Sequence, residues 1–216
     1  MSSIPVSSDR QSAVRLLACI NAGSIDVTDD TWGTDIVAIL RTQLRLQALD
    51  FWMRNPDYLA NELITEFELN GEQSNLELAK NILDSQEPDL RRVPMIRYRF
   101  GAFEPLDNAL SILRAADFIR IKRQGSPGHI QEHIYLLTQS GRDAMDELSN
   151  LAEEISWYKQ RADVVARLAG GSGGKALKDR QYLQAEYADT ELNHIISPIT
   201  DRVRSRLEAI LQGNKA

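Results

Sequence analysis

One cysteine, Cys19, stands in a chain of 216 residues, so no internal disulfide can form and no set of thiolates exists to hold zinc. Histidines number three and aromatic residues make up only 6%. No run reaches the roughly 18 to 20 apolar residues that a membrane span requires, so no membrane association is expected. The first residues, MSSIPVSSDRQ, lack the basic-then-apolar layout of a secretory signal. Together these absences point to a cytoplasmic protein. There is no G-x-S-x-G elbow, no dinucleotide fingerprint and no carboxylate set that stands out from ordinary helix surface, so no catalytic residue, cofactor or metal is expected.

Net charge is −6, which argues against a protein that coats nucleic acid without specificity. Its distribution is uneven. Residues 1–90 hold 6 basic and 15 acidic residues, and residues 124–216 hold 11 and 13. Between them, residues 91–123 hold 8 basic residues against 3 acidic ones: Arg91, Arg92, Arg97, Arg99, Arg114, Arg120, Lys122 and Arg123 are the cations. One compact basic segment therefore interrupts an acidic chain.

Apolar spacing predicts helices over 11–23, 35–54, the stretch from Pro56 to the polar turn NGEQS at 70–74, and 75–84. Trp32, Phe51, Trp52 and Tyr58 read as core or interface aromatics. After Pro88 the pattern changes. Ile96, Tyr98 and Phe100 alternate with Arg97 and Arg99, which predicts a short extended segment with one basic face. Leu106, Ala109, Leu110, Leu113 and Ala116 then recur at helical spacing, with Pro105 suited to the first turn. FIRIKRQ and IYLLT flank the turn GSPGH and predict a β-hairpin. Beyond it come a long amphipathic helix over 142–169, a flexible Gly-rich break at 170–174, and helices over 175–196 and 198–212.

Helix, strand, short loop, strand, helix is the order that ends a winged helix-turn-helix. The run Tyr135-Leu136-Leu137-Thr138-Gln139-Ser140-Gly141-Arg142, with Leu148 and Trp157 downstream, resembles the last strand and following helix of PadR-type winged-helix regulators. Leu106 to Ile119 is similar to the helix and apolar turn before their wing. The likeness covers residues 104–157, about a quarter of the chain, and here lies mid-chain rather than at the start.

The fold expected is thus mainly α with a small β-hairpin: a helical N-terminal region (1–74), a winged helix (75–141), and a C-terminal helical region (142–216). The resemblance implies DNA as partner and a homodimer through the long C-terminal helices. A winged helix enters the major groove with the helix before the hairpin and touches backbone with the wing. The candidate DNA-binding residues are accordingly Arg97, Arg99, Asn108, Ser111, Arg114, Arg120, Lys122 and Arg123. The function expected is that of a non-enzymatic, dimeric transcriptional regulator of bacterial type. The alternative is an adaptor subunit serving a chromosome-organising ATPase or a bacterial defence complex, with a protein partner on the N-terminal helices. Two motifs are set aside. GGSGG at 170–174 followed by Lys175 lacks the first glycine and the Ser or Thr of a phosphate loop. HIQEH at 129–133 matches a zinc-protease pattern but falls in the hairpin, where its histidines cannot share a helix face.

Overall fold

The computed structural model describes residues 8–85, 94–98, 101–126 and 129–213, with the backbone alone for 129–131. Ten helices dominate the described residues, with a four-stranded antiparallel sheet and a two-stranded hairpin. Helix α1 (Asp9–Gly23) starts in a capping box: Ser8 Oγ accepts from the Gln11 N–H, and Gln11 reaches back to the Ser8 N–H. Then come β1 (Ile25–Asp26), a short 3-10 turn (Asp30–Trp32), β2 (Ile36–Arg41), and helices α2 (Gln43–Arg54), α3 (Pro56–Asn70) and α4 (Gln73–Asp84).

The expected helix over 35–54 is corrected: residues 36–41 form β2. Ile36, Ala38 and Leu40 are buried while Val37 and Ile39 are less so, a period of two. Apolar residues at 36, 39 and 40 fit a helix equally well. Pairing with a strand nearly 100 residues away decides between them, with Ile36 opposite Thr138 and Leu40 opposite Tyr135. Thr42, at φ +69°, turns the chain, and its hydroxyl accepts from the Arg45 N–H to cap α2.

The hairpin β3 (Ile96–Tyr98) and β4 (Gly101–Phe103) follows, then helix α5 (Asp107–Ala115) and strands β5 (Ile119–Ser126) and β6 (His129–Thr138). The β5–β6 hairpin matches expectation, with Ile119 opposite Leu137 and Ser126 opposite His129. It belongs to a larger sheet, ordered β1-β2-β6-β5. Tyr135, Leu137, Ile119, Ala38 and Leu40 join the main core, whereas Ile36, Ile134 and Leu136 form a smaller cluster with Val27, Trp32 and Ile39.

Helices α6 (Gln139–Leu151) and α7 (Glu153–Ala169) replace the single helix expected over 142–169, because Ala152 is extended at φ −142° and ψ 128°. Helices α8 (Gly174–Gln181) and α9 (Ala185–Ala188) replace the helix expected over 175–196, and α10 (Thr200–Gly213) closes the described chain. Residues 193–196 leave the helical pattern to pair with β3: the Arg97 N–H donates to the His194 carbonyl at 2.9 Å, and Ile96 bridges Ile195. Asp57 fixes the start of α10 by accepting from the Ile199 N–H at 2.7 Å.

The tyrosine-to-arginine run has a structural role. Thr138 is buried, and its hydroxyl donates to the Asp117 carbonyl at 2.7 Å while accepting from the Gly141 N–H at 3.0 Å. It thereby joins the start of α6 to the turn before β5. Gly141 packs so closely there that a Cβ would lie 2.2 Å from the Phe118 carbonyl oxygen. Arg142 pairs with Asp26 at 2.6 Å, fastening α6 to β1.

One apolar core runs through all three segments, from Ala13 on α1 to Leu207 on α10. Phe51, Trp52 and Tyr58 lie wholly inside it. Phe51 meets Tyr58 and Tyr187 edge-on at ring separations of 5.0 and 5.1 Å. The Phe51–Trp52 pair is therefore core and offers nothing to a partner. A charged cluster lies within the same core. Arg15 Nε donates to Asp50 Oδ1 at 2.6 Å, and Arg54 lies 3.6 Å from Asp50 Oδ2. Glu104 contacts both arginines. Among the described residues no helix is long and apolar enough to cross a membrane.

Candidate nucleic-acid interface

Helix α5 lies beside the β5–β6 hairpin, and a cleft of about 470 Å³ separates them. Its entry is set by α2, because Gln47 Nε2 donates to the carbonyl of Glu104, three residues before α5. The cleft walls include Asp107, Leu110, Ser111 and Arg114 from α5, and Ile121, Lys122 and Arg123 from β5. His133 and Tyr135 come from β6, Gln43 from the first turn of α2, and Phe103 from β4. A second hollow of about 430 Å³ continues over Ser111, Arg114, Arg120 and Ile121. Two cations, Arg114 and Arg123, thus face one carboxylate, Asp107, while Lys122 borders the cleft along β5. Burial, and after it the charge of Asp107, pushes the Tyr135 phenol up, so it stays a neutral hydroxyl at pH 7.

The eight residues singled out by the sequence do not share one environment. Ser111, Arg114 and Arg123 meet in the cleft, which Lys122 borders from β5. Arg114 and Arg123 are exposed and make no ion pair among the described residues. Arg120 is exposed too, but its guanidinium holds Asp117 at 3.0 Å and Asp35 at 2.5 to 2.9 Å. These two carboxylates hold its pKa above the ordinary range and match its charge. Lys122 rests its ammonium 5.0 Å from the Trp32 ring centre. Alternation along β5 turns Arg120 and Lys122 toward Asp35 and Trp32, and Ile121 and Arg123 toward α5.

Two predicted contacts fall elsewhere. Arg97 is spent on packing: its guanidinium lies over Tyr182 at 5.3 Å and donates to the Thr190 carbonyl. This corrects its assignment to a phosphate-facing strand. Asn108 points toward α1, donating to Asp9 at 3.3 Å, and does not line the cleft. Arg99 lies outside the described residues.

Gln43, Phe103 and His133 line the cleft without having been singled out. Gln43 is some 60 residues before α5, and no local pattern carries that separation. Residues 129–133 lie along β6, where positions i and i+4 are about 13 Å apart, so 129 and 133 are separated as on any strand. Among the described residues no group of three His, Cys, Asp or Glu side chains could hold a metal.

The Gly-rich break does connect two helices, as expected, but it is held. Arg45 donates to the Gly170 carbonyl at 2.9 Å, to that of Gly23 at 3.3 Å, and to that of Ser172. A Cβ on Gly174 would sit 2.5 Å from the Arg45 nitrogen, so only glycine lets this loop approach α2 so closely. Comparison with family models, curated proteins and solved structures finds no match to this chain.

Proposed function

We propose that the chain is a non-enzymatic winged-helix protein that binds duplex DNA in the cleft between α5 and the β5–β6 hairpin, acting as a dimeric transcriptional regulator. The observation that carries this reading is the meeting of Arg114 and Arg123, exposed and without an ion pair among the described residues, with the polar Ser111 between helix and hairpin. Phosphates would meet the two cations, and Ser111 is of the size and chemistry to reach a base edge.

The order of elements supports a winged helix in a form the sequence did not suggest. Helix, strand, helix (α1, β2, α2) precede helix, strand, strand (α5, β5, β6), and β6 lies between β2 and β5. That is a winged-helix sequence with residues 55–106 inserted between its second and third helices. In this reading α5 is the recognition helix and β5–β6 the wing.

Fluorescence anisotropy with duplex DNA at two salt concentrations tests the proposal. Each phosphate contact adds roughly 0.9 to the slope of log affinity against log salt. Arg114→Ala with Arg123→Ala should weaken binding at low salt and lower that slope by about 2. Undiminished affinity and slope in the double variant would remove the cleft from the reading.

A second reading, an adaptor subunit in a larger assembly, is favoured by one observation: Arg97 and Arg120 are committed to internal partners. Purification from the native host separates the readings, since an adaptor brings a stoichiometric partner with it.

A further inference from the structure

A cavity of about 520 Å³ opens between the start of α2 and the β3–β4 hairpin. It shares Gln43, Phe103 and His133 with the basic cleft, so the two form one continuous groove. Its far wall is aromatic: the rings of Tyr98 and Phe103 lie 5.2 Å apart at 35°, and Tyr98 is 45% exposed. The hairpin is a rigid support, because the Tyr187 hydroxyl accepts from the Ala102 N–H and the backbone of Arg97 pairs with residues 193 and 194.

The chemistry of the walls narrows the occupant. Glu132 stands in the lining, paired with Arg41 at 3.2 Å, and a carboxylate there disfavours a phosphate. Gln47 also lines the cavity; its Nε2 is committed to Glu104, and its Oε1 is buried with no hydrogen-bond partner among the described residues. A flat, neutral group with amino or imino hydrogens fits this set of a ring face, one unmatched acceptor and a carboxylate. A nucleobase is such a group, and the cations that would hold its backbone line the adjoining cleft.

We propose that this cavity receives one unpaired base of a nucleic acid whose backbone follows the basic cleft, the base stacking on Tyr98. The proposal rests on the DNA-binding reading above and adds a preference for duplexes that carry an unpaired end. Stacking of a base on an aromatic side chain is sequence-tolerant, so the preference is for single-stranded character rather than for a motif.

The test is fluorescence anisotropy with two labelled probes: a blunt duplex, and the same duplex with a single-stranded extension of about six nucleotides, within the span such surfaces cover. The wild-type chain should bind the extended duplex about tenfold more tightly, the scale of one stacked base. Tyr98→Ala, at a half-exposed site that leaves the fold intact, should abolish that advantage while the blunt duplex binds as before. Tyr98→Trp, which keeps a ring, should retain it. Equal affinity of the wild type for the two probes overturns the proposal, and so does an equal loss on both probes in Tyr98→Ala. If neither probe binds at all, the DNA-binding reading fails and the cavity proposal falls with it; binding of the blunt duplex alone leaves that reading standing.

Discussion

Replacing Asp50 with alanine tests how the core of this protein holds its charges. Asp50 is fully buried between Arg15 and Arg54, which are 2% and 3% exposed, while Glu104 at 27% is the only member near solvent. Burial pulls the Arg54 pKa down to about 10, offset in part by the charge of Asp50. Asp50→Ala removes the buried carboxylate that both guanidinium groups face. Removing one partner from a buried pair costs about 3 to 5 kcal/mol, because the remaining charge has lost its match without regaining water. For a chain of this size each kcal/mol lowers Tm by about 2 to 4 °C, so a fall of about 6 to 20 °C is expected. Circular dichroism melts and urea titrations at neutral pH read it directly. Asp179→Ala is the control: its partner Lys175 lies 2.6 Å away with both groups exposed, and such pairs contribute under about 0.5 kcal/mol. Arg15→Met with Asp50→Leu should be milder than Asp50→Ala alone, since it removes both charges and keeps the volume. A loss below about 1 kcal/mol in Asp50→Ala would refute the reasoning and mean that water reaches the cluster.

Gly141→Ala should destabilise by about 1 to 3 kcal/mol, since its methyl meets the Phe118 backbone rather than a side chain that can move aside; denaturant midpoints read this. Arg45→Ala removes the guanidinium that holds the carbonyls of Gly23, Gly170 and Ser172, and should raise amide exchange across 170–174 more than elsewhere. Burial pushes the Cys19 thiol and the Tyr135 and Tyr187 phenols up. Groups raised on folding add stability below their unfolded pKa values, about 8.5 and 10, which is lost as pH rises through them. Arg54, lowered on folding, acts in the opposite sense above pH 10 and offsets one of the three. Unfolding free energies from urea titrations should therefore fall from pH 8 to 10.5 at up to about 1.4 kcal/mol per pH unit for each titrating group, and a flat profile would contradict the burial of all three.

Local pattern sufficed where neighbours in sequence are neighbours in space. The β5–β6 hairpin follows from alternation and turn residues at 119–138, α5 from the spacing of Leu106 to Leu113, and α1, α3 and α4 from apolar periodicity. The basic segment at 91–123 was also visible as charge, and three of its cations, Arg114, Lys122 and Arg123, line one cleft. Tertiary structure alone decided the rest. Strand β2 and a helical turn are equally compatible with Ile36, Ile39 and Leu40, and only pairing with β6 selects the strand. Arg97 and Arg123 look alike on paper, yet one is stacked on Tyr182 and the other faces the cleft, because residues 193–196 fold back onto β3. Gln43 and Tyr98 come to line a single cavity only once α2, the hairpin and β6 are assembled. The physical reason is common to all three: sequence periodicity fixes which face of an element is apolar, and contacts between distant elements fix what that face meets.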